Sequence, residues 1–109
     1  MIKQLLAGVA LAAAALCTPA QAQGYPSKPV NIVVPFAPGG ATDIMTRLLA
    51  ERLSKRLGQP VIVENKPGAG TMIASEYVAK APADGHTVLM AASSLGIAPS
   101  LYSKVNYDP

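Results

Sequence analysis

The sequence predicts an α/β domain in which a parallel sheet is flanked by helices. Short runs rich in β-branched residues alternate with two amphipathic segments, in the order strand, helix, strand, helix, strand. Strands separated by helices pair in parallel through right-handed crossovers. The three loops that follow the strands would then open at the carboxyl edge of one sheet, where open α/β sheets bind ligands.

The first 22 residues have the three-part pattern of a secretory signal. Lys3 supplies the positive start, Leu5 to Leu16 form an unbroken apolar run, and Ala20-Gln21-Ala22 presents the small residues of a cleavage site. The apolar run has about 12 residues, whereas a membrane anchor needs about 20. We therefore expect residues 1–22 to be removed as a signal peptide and residues 23–109 to form the folded part.

Composition excludes several kinds of site. Cys17 is the one cysteine and lies inside the signal; it could carry a lipid, but Leu16 before it is larger than that processing accepts. The mature chain would then have no disulfide, thiolate nucleophile or cysteine metal ligand. Removing Lys3 from nine basic residues leaves eight against six acidic ones, a net charge of +2 that does not suggest nucleic acid as a partner. No cofactor or metal is predicted.

The first strand is followed by a glycine-containing loop and a long helix. Val30 to Val34 is typical of a buried strand, and Pro35 to Gly40 is a loop. Thr42 to Leu57 has the spacing of an amphipathic helix, which Gly58 ends as a left-handed cap. Its predicted buried stripe consists of Ile44, Met45, Leu48, Leu49, Leu53 and Leu57.

The second half repeats this order with shorter elements. Val61 to Glu64 is the second strand, and Asn65 to Gly70 is the second loop. Thr71 to Lys80 is the second helix, and Thr87 to Met90 is the third strand. Ser93 to Gly96 is predicted as a third loop, and the rest of the chain is turn-like, with a helical turn possible towards its end. The buried residues expected in the second helix are Ile73, Tyr77 and Val78.

The first loop has the features of an anion site. Gly39 and Gly40 let the backbone turn sharply and approach a ligand closely. The helix start leaves unpaired N–H groups with the positive end of the helix dipole behind them, which binds anions without a charged side chain. Thr42 can cap the helix and offer its hydroxyl, and Phe36 is a candidate wall of the cleft.

The second loop offers a similar set of donors. Gly68 and Gly70 bracket Ala69, so that successive N–H groups can form a small concave nest for a carboxylate or a water. Each loop alone could equally be a tight strand-to-helix turn. Two such loops at one sheet edge favour ligand binding. Neither has the Gly-Lys-Ser/Thr of a Walker loop or the pattern of a dinucleotide site.

Several other polar and apolar residues have simpler interpretations. We expect His86 to be an exposed residue at a strand start, since no partner acid or nucleophile is evident. Lys66 could touch an anion, although a solvated loop lysine is the simpler interpretation. Asp43, in the first helical turn, favours the helix dipole. The core is expected to include Met45, Met72 and Met90.

Four segments, in order, closely resemble the Bug family of solute-binding receptors, the TctC type of tripartite tricarboxylate transporters. They are Tyr25-Pro26-Ser27-Lys28-Pro29, Val33-Val34-Pro35-Phe36-Ala37-Pro38-Gly39-Gly40, Val63-Glu64-Asn65-Lys66-Pro67-Gly68-Ala69-Gly70 and Asp84-Gly85-His86-Thr87. The resemblance covers nearly all of residues 25–109. It implies the first part of domain 1 of a type II periplasmic-binding-protein fold, with the second domain absent from this sequence.

The resemblance also implies a function and a site. Such receptors hold small di- or tricarboxylates or related organic acids through backbone N–H groups and waters, and deliver them to membrane permease subunits from the periplasm. The full-length protein is expected to be monomeric. The implied ligand-binding residues are Phe36, Ala37, Pro38, Gly39, Gly40, Thr42, Asn65, Lys66, Pro67, Gly68, Ala69, Gly70, Ser93 and Ser94.

The sequence departs from the family pattern at Thr71, and two alternative functions are open. Thr71 stands where a further glycine is common, which predicts a tighter second nest or an additional hydroxyl. An α/β enzyme is the less favoured alternative, because the chain has one histidine and no Gly-x-Ser-x-Gly. A receptor that docks on a sensor protein is the other, and neighbouring permease or sensor kinase genes would discriminate between them.

Overall fold

The computed structural model describes residues 24–108 and contains a three-stranded parallel sheet. The strands are β1 (Val30–Val34), β2 (Val61–Asn65) and β3 (Thr87–Leu89), in the order β2-β1-β3. The predicted signal, its cleavage site and Cys17 lie outside the described residues. The predicted class, a parallel sheet with flanking helices, is confirmed.

Three helices accompany the sheet: α1 (Ala41–Leu57), α2 (Met72–Lys80) and α3 (Ser94–Leu101). A short 3-10 turn at Ala69–Thr71 directly precedes α2. The predicted third loop is therefore wrong, because Ser94 to Gly96 form the first turn of α3 and Ser93 is its cap.

The two longer helices lie on opposite faces of the sheet. Glu64 and Asn65 are neighbours in β2, so their side chains point to opposite faces. Asn65 bonds to Asp43 of α1, whereas Glu64 pairs with Lys66, whose ammonium lies over Tyr77 of α2. The sheet is thus covered on both sides, as parallel sheets usually are.

Helix α1 packs on the sheet through small and polar residues rather than through the predicted apolar stripe. Asp43, Thr46 and Ala50 are buried. Thr46 is fully enclosed, and its Oγ1 donates to Thr42 O at 2.6 Å, so the buried hydroxyl is satisfied. By contrast, Met45 is 68% exposed, so its predicted place in the core is wrong. Four of the residues predicted to be buried are exposed: Ile44, Met45, Leu48 and Leu49.

In α2, too, small residues rather than the predicted large ones occupy the buried positions. Ala74 and Ser75 are buried, and the Ser75 hydroxyl donates to Thr71 O at 3.1 Å. Ile73 and Tyr77 are exposed, contrary to the prediction, while Val78 is half-buried. Small side chains let the helix approach the sheet closely, and the larger apolar ones flank the contact. Met72 and Met90, predicted to lie in the core, are half-buried.

The turn between α1 and β2 is built on a left-handed glycine, as predicted. Gly58 has φ 67° and donates its N–H to Ser54 O at 3.0 Å. The Ser54 hydroxyl oxygen then accepts the N–H of Val61 at 2.7 Å. The helix end and the strand start are therefore joined by one serine.

Helix α3 contains Pro99, which cannot donate a hydrogen bond to the carbonyl of Leu95. Tyr107 supplies the missing donor, since its hydroxyl lies 3.1 Å from Leu95 O. The chain after α3 therefore folds back along the helix, and the bond explains how a proline is accommodated here.

The amino edge of the sheet is closed by the segment before β1. His86 is buried, with its Nε2 accepting the N–H of Ser27 at 3.2 Å and its Nδ1 lying 3.1 Å from Asp84 O. Tyr25 stacks near the imidazole with ring centroids 5.0 Å apart. The ammonium of Lys28, 2.7 Å away, and the His86 N–H lower the pKa of Asp84 to about 2. The prediction of an exposed His86 is wrong because this segment covers it.

Among residues 24–108, none of the helices combines the length and the apolar character needed to cross a membrane.

We expect a polypeptide of residues 24–108 alone to be marginally stable. Its sheet has three strands with unpaired outer edges, and the large apolar residues of α1 are uncovered by the described residues. Urea denaturation followed by far-UV circular dichroism should give a weak or broad transition. A sharp transition at high urea would contradict this expectation and identify a self-sufficient domain.

Candidate functional site

The first loop and the start of α1 present backbone donors at the carboxyl edge of the sheet. Gly39 has φ 91°, a conformation that favours glycine, and Gly40 precedes the helix in an extended conformation. The N–H groups of Ala41 and Thr42 have no acceptor among residues 24–108. The prediction that Thr42 caps the helix is wrong, because the helix begins at Ala41 and Gly40 occupies the cap without a side-chain bond.

The first loop is held by hydrogen bonds to a buried carboxylate. Asp43 is 3% exposed, and its Oδ2 accepts the N–H of Gly39 at 2.9 Å and Nε of Arg47 at 3.0 Å. Its Oδ1 accepts Nδ2 of Asn65 at 2.9 Å. The Arg47 bond, followed by the Gly39 and Asn65 bonds, holds the pKa of Asp43 well below its usual range. The carboxylate therefore stays ionised.

Asn65 connects the first loop to the second strand. Its Nδ2 also donates to Phe36 O at 3.1 Å, and its Oδ1 accepts Nη2 of Arg47 at 2.9 Å. Both amide hydrogens and the carbonyl oxygen are thus used within the protein. The sequence predicts Asn65 to be a ligand-binding residue, whereas its contacts favour a positioning role. The Asp43–Arg47 spacing of four residues on one helix was the available signal for this network.

The second loop contains four consecutive residues with positive φ. The φ values are 125° at Gly68, 48° at Ala69, 61° at Gly70 and 79° at Thr71. The N–H of Thr71 closes the turn on Gly68 O at 3.0 Å. Within residues 24–108, no acceptor meets the N–H of Ala69 or Gly70, so this turn leaves two adjacent donors free for a ligand.

Lys66 is half-buried, and its charge is paired within the protein. Its ammonium lies 2.8 Å from Glu64 Oε1 and 4.1 Å from the ring centroid of Tyr77, and its side chain is 26% exposed. The Glu64 carboxylate raises the pKa of Lys66 and is itself held by Nδ2 of Asn31 at 2.7 Å. The solvated interpretation of this lysine is wrong, and its charge is already paired within the protein.

The third element of the edge is the start of α3. Ser93 is exposed at the helix cap, and Ser94 is the first helical residue. The hydroxyl of Thr71 lies 3.0 Å from that of Ser94, which joins the second loop to α3. The hydroxyl that Thr71 adds at this position is thus directed to Ser94.

The carboxyl edge thus brings together the three segments that the sequence singled out. Lys66 N–H donates to Val34 O at 2.8 Å, and Met90 N–H donates to Val33 O at 2.9 Å, so the chain after β2 and β3 is joined to β1. Ala37 and Pro38 are exposed on the first loop, Phe36 is half-buried beside them, and Pro67 is exposed on the second. Among residues 24–108, no group of three or more His, Cys, Asp and Glu residues could hold a metal ion.

Comparison with known proteins identifies the family to which this chain belongs. The profile of the tripartite tricarboxylate transporter family receptor, TctC, matches residues 45–109. The chain belongs to this family, which confirms the resemblance seen in its motifs. It is 44% identical to the protein BugT of Bordetella pertussis over 93% of this chain and 33% of that protein.

Solved structures agree with this assignment. The periplasmic binding protein BugD superposes with a TM-score of 0.74 and 49% identity, covering 78% of this chain and 28% of that one. Rpa4515 of R. palustris, solved with adipate, superposes with a TM-score of 0.67 and 39% identity, covering 78% of this chain and 29% of that one. MatC of Rhodopseudomonas palustris, with bound malate, superposes with a TM-score of 0.57 and 48% identity, covering 60% of this chain and 22% of that one. The chain spans about a third of the length of the curated relatives it matches.

The Asp43 network predicts a specific pH dependence of stability. Because the pKa of Asp43 is lower in the folded protein than its unfolded value of about 3.9, its contribution is present above that value and lost as the pH falls below it. In the full-length receptor, Asp43→Asn should therefore lower the urea midpoint at pH 7 and flatten its decline between about pH 5 and pH 2.

Glu51→Gln is the matched control, since Glu51 pairs with Lys55 at the same spacing on the exposed side of α1. It should leave the midpoint nearly unchanged at every pH, because exposed pairs contribute little. An Asp43→Asn protein with the acid dependence of the wild type would show that this carboxylate is not the linked group.

Proposed function

We propose that this chain is the N-terminal part of a periplasmic receptor that captures a small organic carboxylate and delivers it to membrane permease subunits. The observation that supports this most directly is the pair of strand-to-helix loops whose N–H groups, at Ala41, Thr42, Ala69 and Gly70, have no acceptor among residues 24–108. Related receptors solved with adipate and malate favour carboxylates as the ligand class.

Two backbone sets suit the two oxygens of a carboxylate. The start of α1 contributes N–H groups together with the positive end of a helix of 17 residues. The turn through Ala69 and Gly70 contributes a concave pair of donors. Hydrogen bonds to an ionised acceptor are shorter and about twice as strong as neutral ones, so a few backbone donors suffice.

The charged side chains near the edge leave this role to the backbone. The negative charge of Asp43 would oppose an anion, but Arg47 neutralises it at 3.0 Å. The positive charge of Lys66 is directed to Glu64 and Tyr77. We therefore assign the ligand contacts to backbone N–H groups, with Phe36, Ala37 and Pro38 shaping the wall on one side and Pro67 and Ser93 bordering the other.

The whole protein would be exported and would have two domains. Residues 1–22 would direct export and be removed, leaving Gln23 as the mature start. Residues 23–109 would form the first part of domain 1, and the second half of the cleft would come from the part of the receptor that lies outside this sequence. The ligand would bind between the two domains of a monomer, without catalysis.

Replacement of Gly39 by valine should abolish carboxylate binding in the full-length receptor. Valine is strained at φ 91°, so the N–H donors at the helix start would be displaced, and its Cβ would lie beside the bound anion. Gly58→Val is the matched control, because φ is 67° there and an added Cβ meets no atom within 4 Å, as at Gly39. Gly58 lies at the opposite end of α1, so that variant should lose stability yet keep its affinity for the ligand.

Titration calorimetry with adipate, malate and succinate measures both effects. Lys66→Ala should change the affinity less than Gly39→Val, since its ammonium is held within the protein. If Lys66→Ala removes binding while Gly39→Val leaves it intact, the backbone mechanism is wrong and a charge contact should replace it.

A further inference from the structure

Thr71 is held in a conformation that a β-branched residue normally avoids. Its φ is 79° and its ψ is −4°, in the left-handed region that residues other than glycine rarely adopt. Such a conformation persists only where surrounding contacts determine it. Thr71 is therefore a residue whose own bonds should explain why it is tolerated.

All the polar groups of Thr71 are engaged. Its N–H donates to Gly68 O at 3.0 Å, and its carbonyl accepts the hydroxyl of Ser75 at 3.1 Å. Its hydroxyl lies 3.0 Å from that of Ser94. Thr71 thus links the second loop to α2 through its carbonyl and to α3 through its hydroxyl.

The burial of the two hydroxyls determines which one donates. Thr71 is 6% exposed, and within residues 24–108 Ser94 Oγ is the acceptor that its hydroxyl proton meets. If Ser94 donated instead, the Thr71 proton would be buried without a partner, which is costly. Ser94 is half-buried at the edge, where its own proton can reach solvent or a ligand. Thr71 is therefore the donor, and the proton of Ser94 stays free.

We propose that Thr71 is a positioning residue that orients the Ser94 hydroxyl as a hydrogen-bond donor to the bound carboxylate. The inference rests on the proposed function, because it requires a carboxylate at this edge. Ser94 would add a side-chain donor beside the backbone N–H groups of Ala69 and Gly70. The strain at Thr71 is then offset by its hydrogen bonds, one of which orients the Ser94 hydroxyl.

Four variants of the full-length receptor test this relation by titration calorimetry with adipate and malate. Thr71→Val keeps the branched shape and the backbone strain but removes the hydroxyl, and should weaken binding about three- to tenfold, the equivalent of one lost hydrogen bond. Thr71→Ser keeps the hydroxyl and should bind as the wild type does. Ser94→Ala should weaken binding at least as much as Thr71→Val.

The double variant distinguishes positioning from a merely structural role. If Thr71 acts through Ser94, adding Thr71→Val to Ser94→Ala should weaken binding no further. Unchanged affinity in Thr71→Val, or an additional loss in the double variant, would overturn the inference while leaving the proposed function intact. A wild-type receptor that binds none of the carboxylates would overturn the proposed function and this inference with it.

Discussion

The buried carboxylate of Asp43 is the constraint on which the geometry of the carboxyl edge depends. It accepts bonds from the backbone of Gly39, the guanidinium of Arg47 and the amide of Asn65. These three partners belong to the first loop, to α1 and to β2. A buried ionised group is stable only when it is paired and fully hydrogen-bonded, so the three segments are held in one arrangement.

The second loop is held by hydrogen bonds rather than by a buried charge. Its backbone passes through four consecutive positive φ values, and two of these residues, Ala69 and Thr71, are not glycine. Bonds from Thr71 to Gly68 and Ser94 fix the turn at both ends. The first loop is therefore positioned by charge and the second by strain balanced against hydrogen bonds. Both leave backbone donors free at the same edge.

The strands and the loops after β1 and β2 were predictable from the sequence, because β-branched runs and paired glycines are local signals. The buried face of α1 was not. Asp43, Thr46 and Ala50 are separated by three and four residues, as are the pairs Met45–Leu48 and Ile44–Leu48, and spacing alone cannot decide which stripe faces the sheet. Helix α3 was missed because Pro99 argues against a helix, and the compensating Tyr107 bond comes from residues distant in sequence. The roles of Asn65 and His86 likewise depend on partners that only the fold brings near.

We propose that backbone N–H groups, and not a charged side chain, hold the carboxylate. The most direct measurement is an ¹⁵N–¹H correlation spectrum of the full-length receptor during titration with adipate. We expect the largest downfield amide shifts within residues 40–42 and 69–70, with little change at the Lys66 ammonium. Large shifts confined to Lys66 and its neighbours, with the amides of both loops unmoved, would contradict it.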